Sequence, residues 1–182
     1  PLRRQRQMCI RDSSSANPSY VAADLLSQAE HDKRARAILV TDSEALADAV
    51  ESEIERQLKL LPREAIARPS IENNGRIIIT KDTDAMFELM NSVAPEHLEI
   101  AMEKAYDYLE KVENAGSVFL GHFTSEPIGD YYAGANHILP TTATSRFSSA
   151  LGVHDFVKRI QYTQYDKACL LYTSPSPRDG LL

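Results

Sequence analysis

Two short apolar runs, "AILVT" at 37–41 and "RIIIT" at 76–80, and two further strand-like stretches, "EHLEIAM" at 96–102 and "SVFLG" at 117–121, alternate with segments of helical period. Runs of this length suit strands buried on both faces, the usual condition of a parallel sheet. Asn17-Pro18 supplies an N-cap and a first-turn proline for a helix in which Val21, Leu25 and Ala29 form one stripe, with Ala22 and Leu26 beside it. Asp42 to Leu61 reads as an amphipathic helix with acids in its first turn and Pro62 as its stop. "KDTDAMFELMNSVA" predicts a helix capped by Asp82 or Thr83, and "EKAYDYLEKVENAG" one that ends at Gly116. The stretch between Pro62 and Arg76 reads as a polar connection. The alternation predicts an α/β fold with a doubly wound, mostly parallel sheet, whose chemistry is expected at the carboxyl ends of its strands.

The 182 residues are 43% hydrophobic and 25% charged, which is ordinary for a globular domain with a core. The net charge of −6 leaves no electrostatic footprint for nucleic acid or an anionic membrane, so neither is expected as a partner. No apolar run approaches the roughly 18 residues of a membrane span. Cys9 and Cys169 form no CxxC or disulfide framework, so a reducing, cytoplasmic setting is expected.

The two ends differ from the middle. Residues 1–13, "PLRRQRQMCIRDS", are basic and without period, and 169–182, "CLLYTSPSPRDGLL", are rich in Ser and Pro. Both are expected to be disordered or non-native tails, and both resemble translated sequencing-adapter read-through. Without them, five of 20 basic and two of 26 acidic residues go, leaving 14–168 with a net charge of −9 and no cysteine. Thiol chemistry and cysteine–zinc sites are thereby excluded for that domain.

Three clusters carry chemistry. Gln28 and His31, three residues apart on the first helix, share a face and can converge on one ion, with an amide oxygen and an imidazole suited to zinc. A polar helix end explains the pair equally well. In "APEHLEI", Pro95 is expected to hold Ala94 extended, and Glu96-His97 places a carboxylate beside an imidazole, each able to act as a general base. Neighbours in a regular strand point to opposite faces, so both serve one site only if the strand has not yet begun; a solvated strand start is the alternative. Between Gly121 and Leu151 the chain loses its period, and a loop this long in a compact domain is usually functional. Its stretch "GDYYAGANH" holds Asp130, a hard oxygen ligand, and Asn136 and His137, which offer directional hydrogen bonds. Gly and Asn also mark plain turns. His122 and His154 are expected to be surface or supporting residues.

Taken in order, "NPSYVAADLLSQAEHD", "APEHLEI", "AGSVFLG", "IGDYYAGANHILPT" and "SALGVHDFVKRI" resemble the histidinol dehydrogenases across essentially all of 14–168. The resemblance implies a Rossmann-like sheet within a larger multidomain enzyme that uses Zn2+ and NAD to oxidise L-histidinol to L-histidine in histidine biosynthesis. It implies Gln28, His31 and Asp130 as zinc ligands, and Glu96 and His97 as the two bases. Gln28, His31, His97, Asp130 and His137 are implied to contact substrate, and no residue of this segment to bind NAD.

The resemblance further implies a homodimer with sites shared between subunits, a missing domain with most NAD contacts, and a missing tail with a further zinc-ligand His. The chain alone is therefore expected to be inactive. Two rival readings are a non-catalytic α/β binding module, in which Gln28, His31 and Asp130 need not converge, and an unrelated zinc hydrolase using Glu96. The second lacks the HExxH spacing.

Overall fold

In the computed structural model, which describes residues 7–12 and 15–168, all five strands are parallel and lie in the order β3-β2-β1-β4-β5. The first of them corrects an expectation. Residues 7–12, read from the sequence as part of a tail, form β1 (Gln7–Asp12) at the centre of the sheet, paired with β2 (Arg36–Thr41) on one side and β4 (His97–Ala101) on the other. Met8, Cys9 and Ile10 are fully buried, and this short apolar core inside a basic flank is what the sheet takes up. The rest of the expected tails, including Cys169, lies outside the described residues.

Helix α1 (Pro18–Ala29) starts where Asn17 accepts the Ser19 N–H at 2.9 Å, and it buries Val21, Ala22, Leu25, Leu26 and Ala29. Helix α2 (Glu44–Leu58) is capped by Ser43. Helix α3 (Glu64–Asn74) occupies the stretch expected to be a polar connection, and it runs through Pro69. Burial of Ala67, the Ser70 hydroxyl bonded to Ala35 O at 3.0 Å, and the ion pairs of Arg68 with Glu64 and Glu55 hold it against an interior proline's cost of ~3 kcal/mol. Strand β3 (Arg76–Ile79) is not the buried strand its apolar run predicted: it lies at one edge of the sheet, with Ile77 and Ile79 exposed. Helix α4 (Thr83–Val93) is capped by Asp82, whose carboxylate accepts the Ala85 N–H at 2.8 Å.

Between β4 and β5 (Ser117–Leu120), the expected α-helix is instead a 3-10 segment, Ala105–Lys111. Asn91 of α4 donates to Lys111 O and accepts the Glu113 N–H, both at 2.9 Å, taking backbone groups that a longer helix would have paired within itself. The expected long loop contains a short helix, α5 (Glu126–Tyr131).

Two cores flank the sheet. Met8, Ile10, Ala37 and Leu39 meet α1, α2 and α3 on one face, while Cys9, Ile38, Val40, Leu98 and Ile100 meet α4 on the other. This is the doubly wound arrangement that the alternating runs predicted, with the order reversing between β1 and β4. Residues 153–168, described by themselves, hold a short 3-10 turn, Val153–Phe156, in which His154 Nδ1 lies 3.0 Å from Arg159 Nη2. No helix among the described residues is long and apolar enough to cross a membrane.

Candidate active site

The turn Ala94-Pro95-Glu96-His97 stands at the amino end of β4, not at the carboxyl ends where chemistry was expected. Ala94 is also not extended: at φ 51° and ψ 63° it is left-handed and closes α4, its N–H bonded to Met90 O at 2.9 Å. That conformation costs about 1–2 kcal/mol for a residue with a Cβ. Full burial of Ala94 and the Ser145 hydroxyl on its carbonyl, at 3.0 Å, hold it in place.

Glu96 lies in the turn and His97 is the first residue of β4, so the pleat does not force the pair apart. Both are buried, at 5% and 2% exposure, and the solvated strand start is excluded. Gly116 makes room for this packing: a Cβ there would meet Glu96 O at 2.5 Å, the same carbonyl that accepts the Ser117 N–H at 2.9 Å.

Because Leu98 and Ile100 belong to the α4 core, His97 and Glu99 face α1. Glu99 stands beside Phe119 in the parallel register, and the Phe119 ring centroid is 6.0 Å from that of His97. Helix α5 backs onto Phe119 through Gly129, where an added Cβ would lie 2.2 Å from Cε1. The helix that carries Asp130 therefore packs over the aromatic ring next to His97. The loop reaches the amino end by running back down the sheet, so that Pro140 Cδ is 3.2 Å from where a Gly116 Cβ would stand.

Three carboxyl groups lie one strand repeat above His97. Glu99 Oε1 accepts the Glu126 N–H at 2.9 Å, and its carboxyl hydrogen-bonds Asp24 of α1. Burial, reinforced by the Asp24 charge, pushes Glu99 up to about 9. Burial raises Asp24 to about 6. At neutral pH the pair thus holds one proton, and burial, which raises Glu99 further than Asp24, favours Glu99 as its carrier.

The Asp24–Glu99 contact also sets the level of Gln28. Helix α1 runs antiparallel to β4, and four residues of helix advance about 6 Å, nearly the roughly 6.6 Å of two strand residues. Gln28 is thereby brought to the level of His97. It is 1% exposed, and among the described residues neither its Oε1 nor its Nε2 has a hydrogen-bond partner.

The other expected ligands are placed less tightly. His31 lies in the turn beyond α1 and is exposed, lining a 440 Å³ cavity with Lys33, Arg34 and Arg63. The side chain of Asp130 is outside what the structure describes. His137 is exposed beside Asn136, whose amide spans the base of the loop by accepting the Ile138 N–H at 2.9 Å and donating to Leu151 O. Among the described residues, no three His, Cys, Asp or Glu side chains converge on one ion. At the carboxyl end of the switch point, a small cavity lies between Asn17, Tyr20, Asp24, Glu99 and His122.

Sequence reasoning missed Glu99, Asp24, Glu126, Phe119 and Gly129. One signal was available: Glu99 is an acid at an inward position of an otherwise apolar run.

The fold defines an α/β domain of the doubly wound class, with a buried carboxylate–imidazole pair at the amino end of β4. A family model described as histidinol dehydrogenase matches residues 7–176. The chain is 82% identical over 157 residues to the histidinol dehydrogenase of Streptococcus mutans, covering 86% of this chain and 37% of that protein. It is 57% identical over 162 residues to that of Lactiplantibacillus plantarum, covering 89% and 38%. The crystal structure of histidinol dehydrogenase from Elizabethkingia anophelis superposes with a TM-score of 0.84 at 37% identity, covering 91% of this chain and 38% of that one. The chain belongs to the histidinol dehydrogenase family and spans somewhat over a third of the length of these relatives.

Proposed function

We propose that this segment supplies the two bases and most of the zinc ligands of an enzyme that oxidises L-histidinol to L-histidine with two NAD+. The observation that carries the reading is the buried Glu96–His97 pair together with the buried amide of Gln28 on α1, which has no hydrogen-bond partner among the described residues. An unsatisfied buried amide costs about 1–3 kcal/mol, and a metal on Oε1 relieves part of that cost. The donor set Gln28, His31 and Asp130 is nitrogen and oxygen, as zinc accepts. Of the three, Gln28 fits in place, and His31 must turn inward to join it.

Zinc would anchor the substrate's imidazole and amine beside the bases, and NAD+ would accept hydride. His97 takes the hydroxyl proton in the first oxidation. Glu96 takes a proton from the water that attacks the aldehyde carbon before the second oxidation. Phe119 and α5 exclude bulk water from His97, which strengthens both proton transfers. His137, on the exposed loop after α5, contacts substrate. The NAD contacts and a further zinc ligand come from parts of the enzyme beyond this segment, in a cytoplasmic homodimer that shares its sites between subunits.

The test is direct. The purified 182-residue chain should bind zinc weakly and produce no NADH from histidinol, whereas the full-length enzyme should bind zinc tightly and produce NADH. Robust NADH production by the chain alone would overturn this division of labour.

A further inference from the structure

We infer that Glu99 is the positioning residue of this site: its one buried carboxyl group ties together the three elements, α1, β4 and α5, that carry the candidate site residues. It touches neither substrate nor metal. On β4 it stands two residues after His97, on the same face. Toward α1 it bonds Asp24, one turn before Gln28. Toward α5 it accepts the Glu126 N–H at 2.9 Å, one turn before Asp130. Each tie is thus one structural repeat from a residue assigned to the chemistry.

The tie to α5 fills a local need. This helix has six residues, and its N-cap, Ser125, makes no side-chain cap bond. A helix of that length is not stable alone, and its first N–H groups must find acceptors. Glu99 provides one from the neighbouring strand, while Gly129 lets the next turn lie on Phe119. Glu126 is itself buried at 3% exposure, so the acceptor is shielded from competing water.

The tie to α1 needs a proton between two carboxyl groups. The groups facing Glu99 are Asp24 and Tyr20 from α1, Glu126 from α5, and His122 from the segment after β5. With Asp24 ionised, Glu99 must be the donor. One carboxylic acid therefore accepts through one oxygen and donates through the other. A Gln amide can copy that pattern; an apolar side chain of similar volume cannot.

That the tied residues serve a zinc-dependent oxidation rests on the function proposed above; the tie does not. The experiment is backbone amide exchange by NMR on the 182-residue chain for wild type, Glu99→Gln and Glu99→Leu, each followed by calorimetric titration with zinc. Exchange at residues 128–132 should accelerate at least tenfold in Glu99→Leu and stay within about threefold of wild type in Glu99→Gln. Equal protection in Glu99→Leu, or equal loss in Glu99→Gln, would overturn the proposal.

If Glu99→Leu does not fold, the Glu126 amide resonance decides. In wild type it should shift with an alkaline midpoint that is absent in Glu99→Gln; no step, or one in the ordinary carboxylate range, would overturn the tie. Zinc binding that is absent or equal in all three proteins would count against the proposed zinc site alone, because the exchange and titration results are independent of metal.

Discussion

Gly129 rests on Phe119 so closely that a methyl group at position 129 would sit 2.2 Å from Cε1 of the ring. The same ring neighbours His97 at 6.0 Å between centroids, so the seating of α5 and the surroundings of the candidate base depend on one contact.

Gly129→Ala should therefore lift α5 or tilt Phe119. Overpacking of this kind costs about 1–3 kcal/mol, measurable by urea unfolding. Phe119→Leu alone should also destabilise, by opening a cavity, yet in the Gly129→Ala background it should recover part of the loss. Strict additivity of the two losses would show that residue 129 does not bear on the ring.

Gln28 should trade stability against metal binding. Its buried amide has no partner among the described residues, so Gln28→Met, close to it in length and without the amide, should stabilise the metal-free chain by about 1–2 kcal/mol in urea. The same substitution should abolish any rise in melting temperature on adding zinc. A destabilised, still zinc-responsive variant would refute the ligand assignment.

The parts of this fold that were legible in the sequence are those set by local pattern. The run at 37–41 became the buried strand β2, and the stretches at 96–102 and 117–121 became β4 and β5. The run at 76–80, apolar enough to suit burial on both faces, became the edge strand β3 with Ile77 and Ile79 exposed. Helix α3 was hidden by Pro62 and Pro69, since the contacts of Ala67 and Ser70 that override the prolines are tertiary. Strand β1 was hidden because its three buried residues lie inside a basic stretch. Glu96 and His97 could be singled out as chemistry because a carboxylate and an imidazole follow a turn-making proline. Their burial at the amino end of β4 could not, because it depends on Phe119 and the loop after β5 packing there. Nor could the role of Glu99, which exists only once α1 and α5 have docked on either side of it.

His97→Asn keeps a side chain of similar polarity but no proton acceptor that titrates near neutral pH. In the full-length enzyme it should lower kcat for the first oxidation by roughly 10²–10⁴-fold with little change in KM. Glu96→Gln should instead spare that step and slow conversion of the aldehyde, so feeding histidinol and the aldehyde separately distinguishes the two bases. Unimpaired histidinol oxidation by His97→Asn would refute its assignment.

The buried acids should make the chain less stable as the pH rises. Glu99 is raised from 4.5 to about 9 and Asp24 from 3.8 to about 6, both first of all by burial. Folded pKa values above unfolded ones mean that, between them, the folded state holds protons the unfolded state has released. Their stabilisation is thus complete below the unfolded values and is lost as pH climbs toward about 9 for Glu99. The slope has a ceiling of about 1.4 kcal/mol per pH unit for each proton. Urea unfolding from pH 5 to 9 should show this decline in wild type, and Glu99→Gln, which has no proton to lose, should at least halve it. A wild-type profile that is flat or rises over that range would mean that Glu99 is ionised in the folded chain.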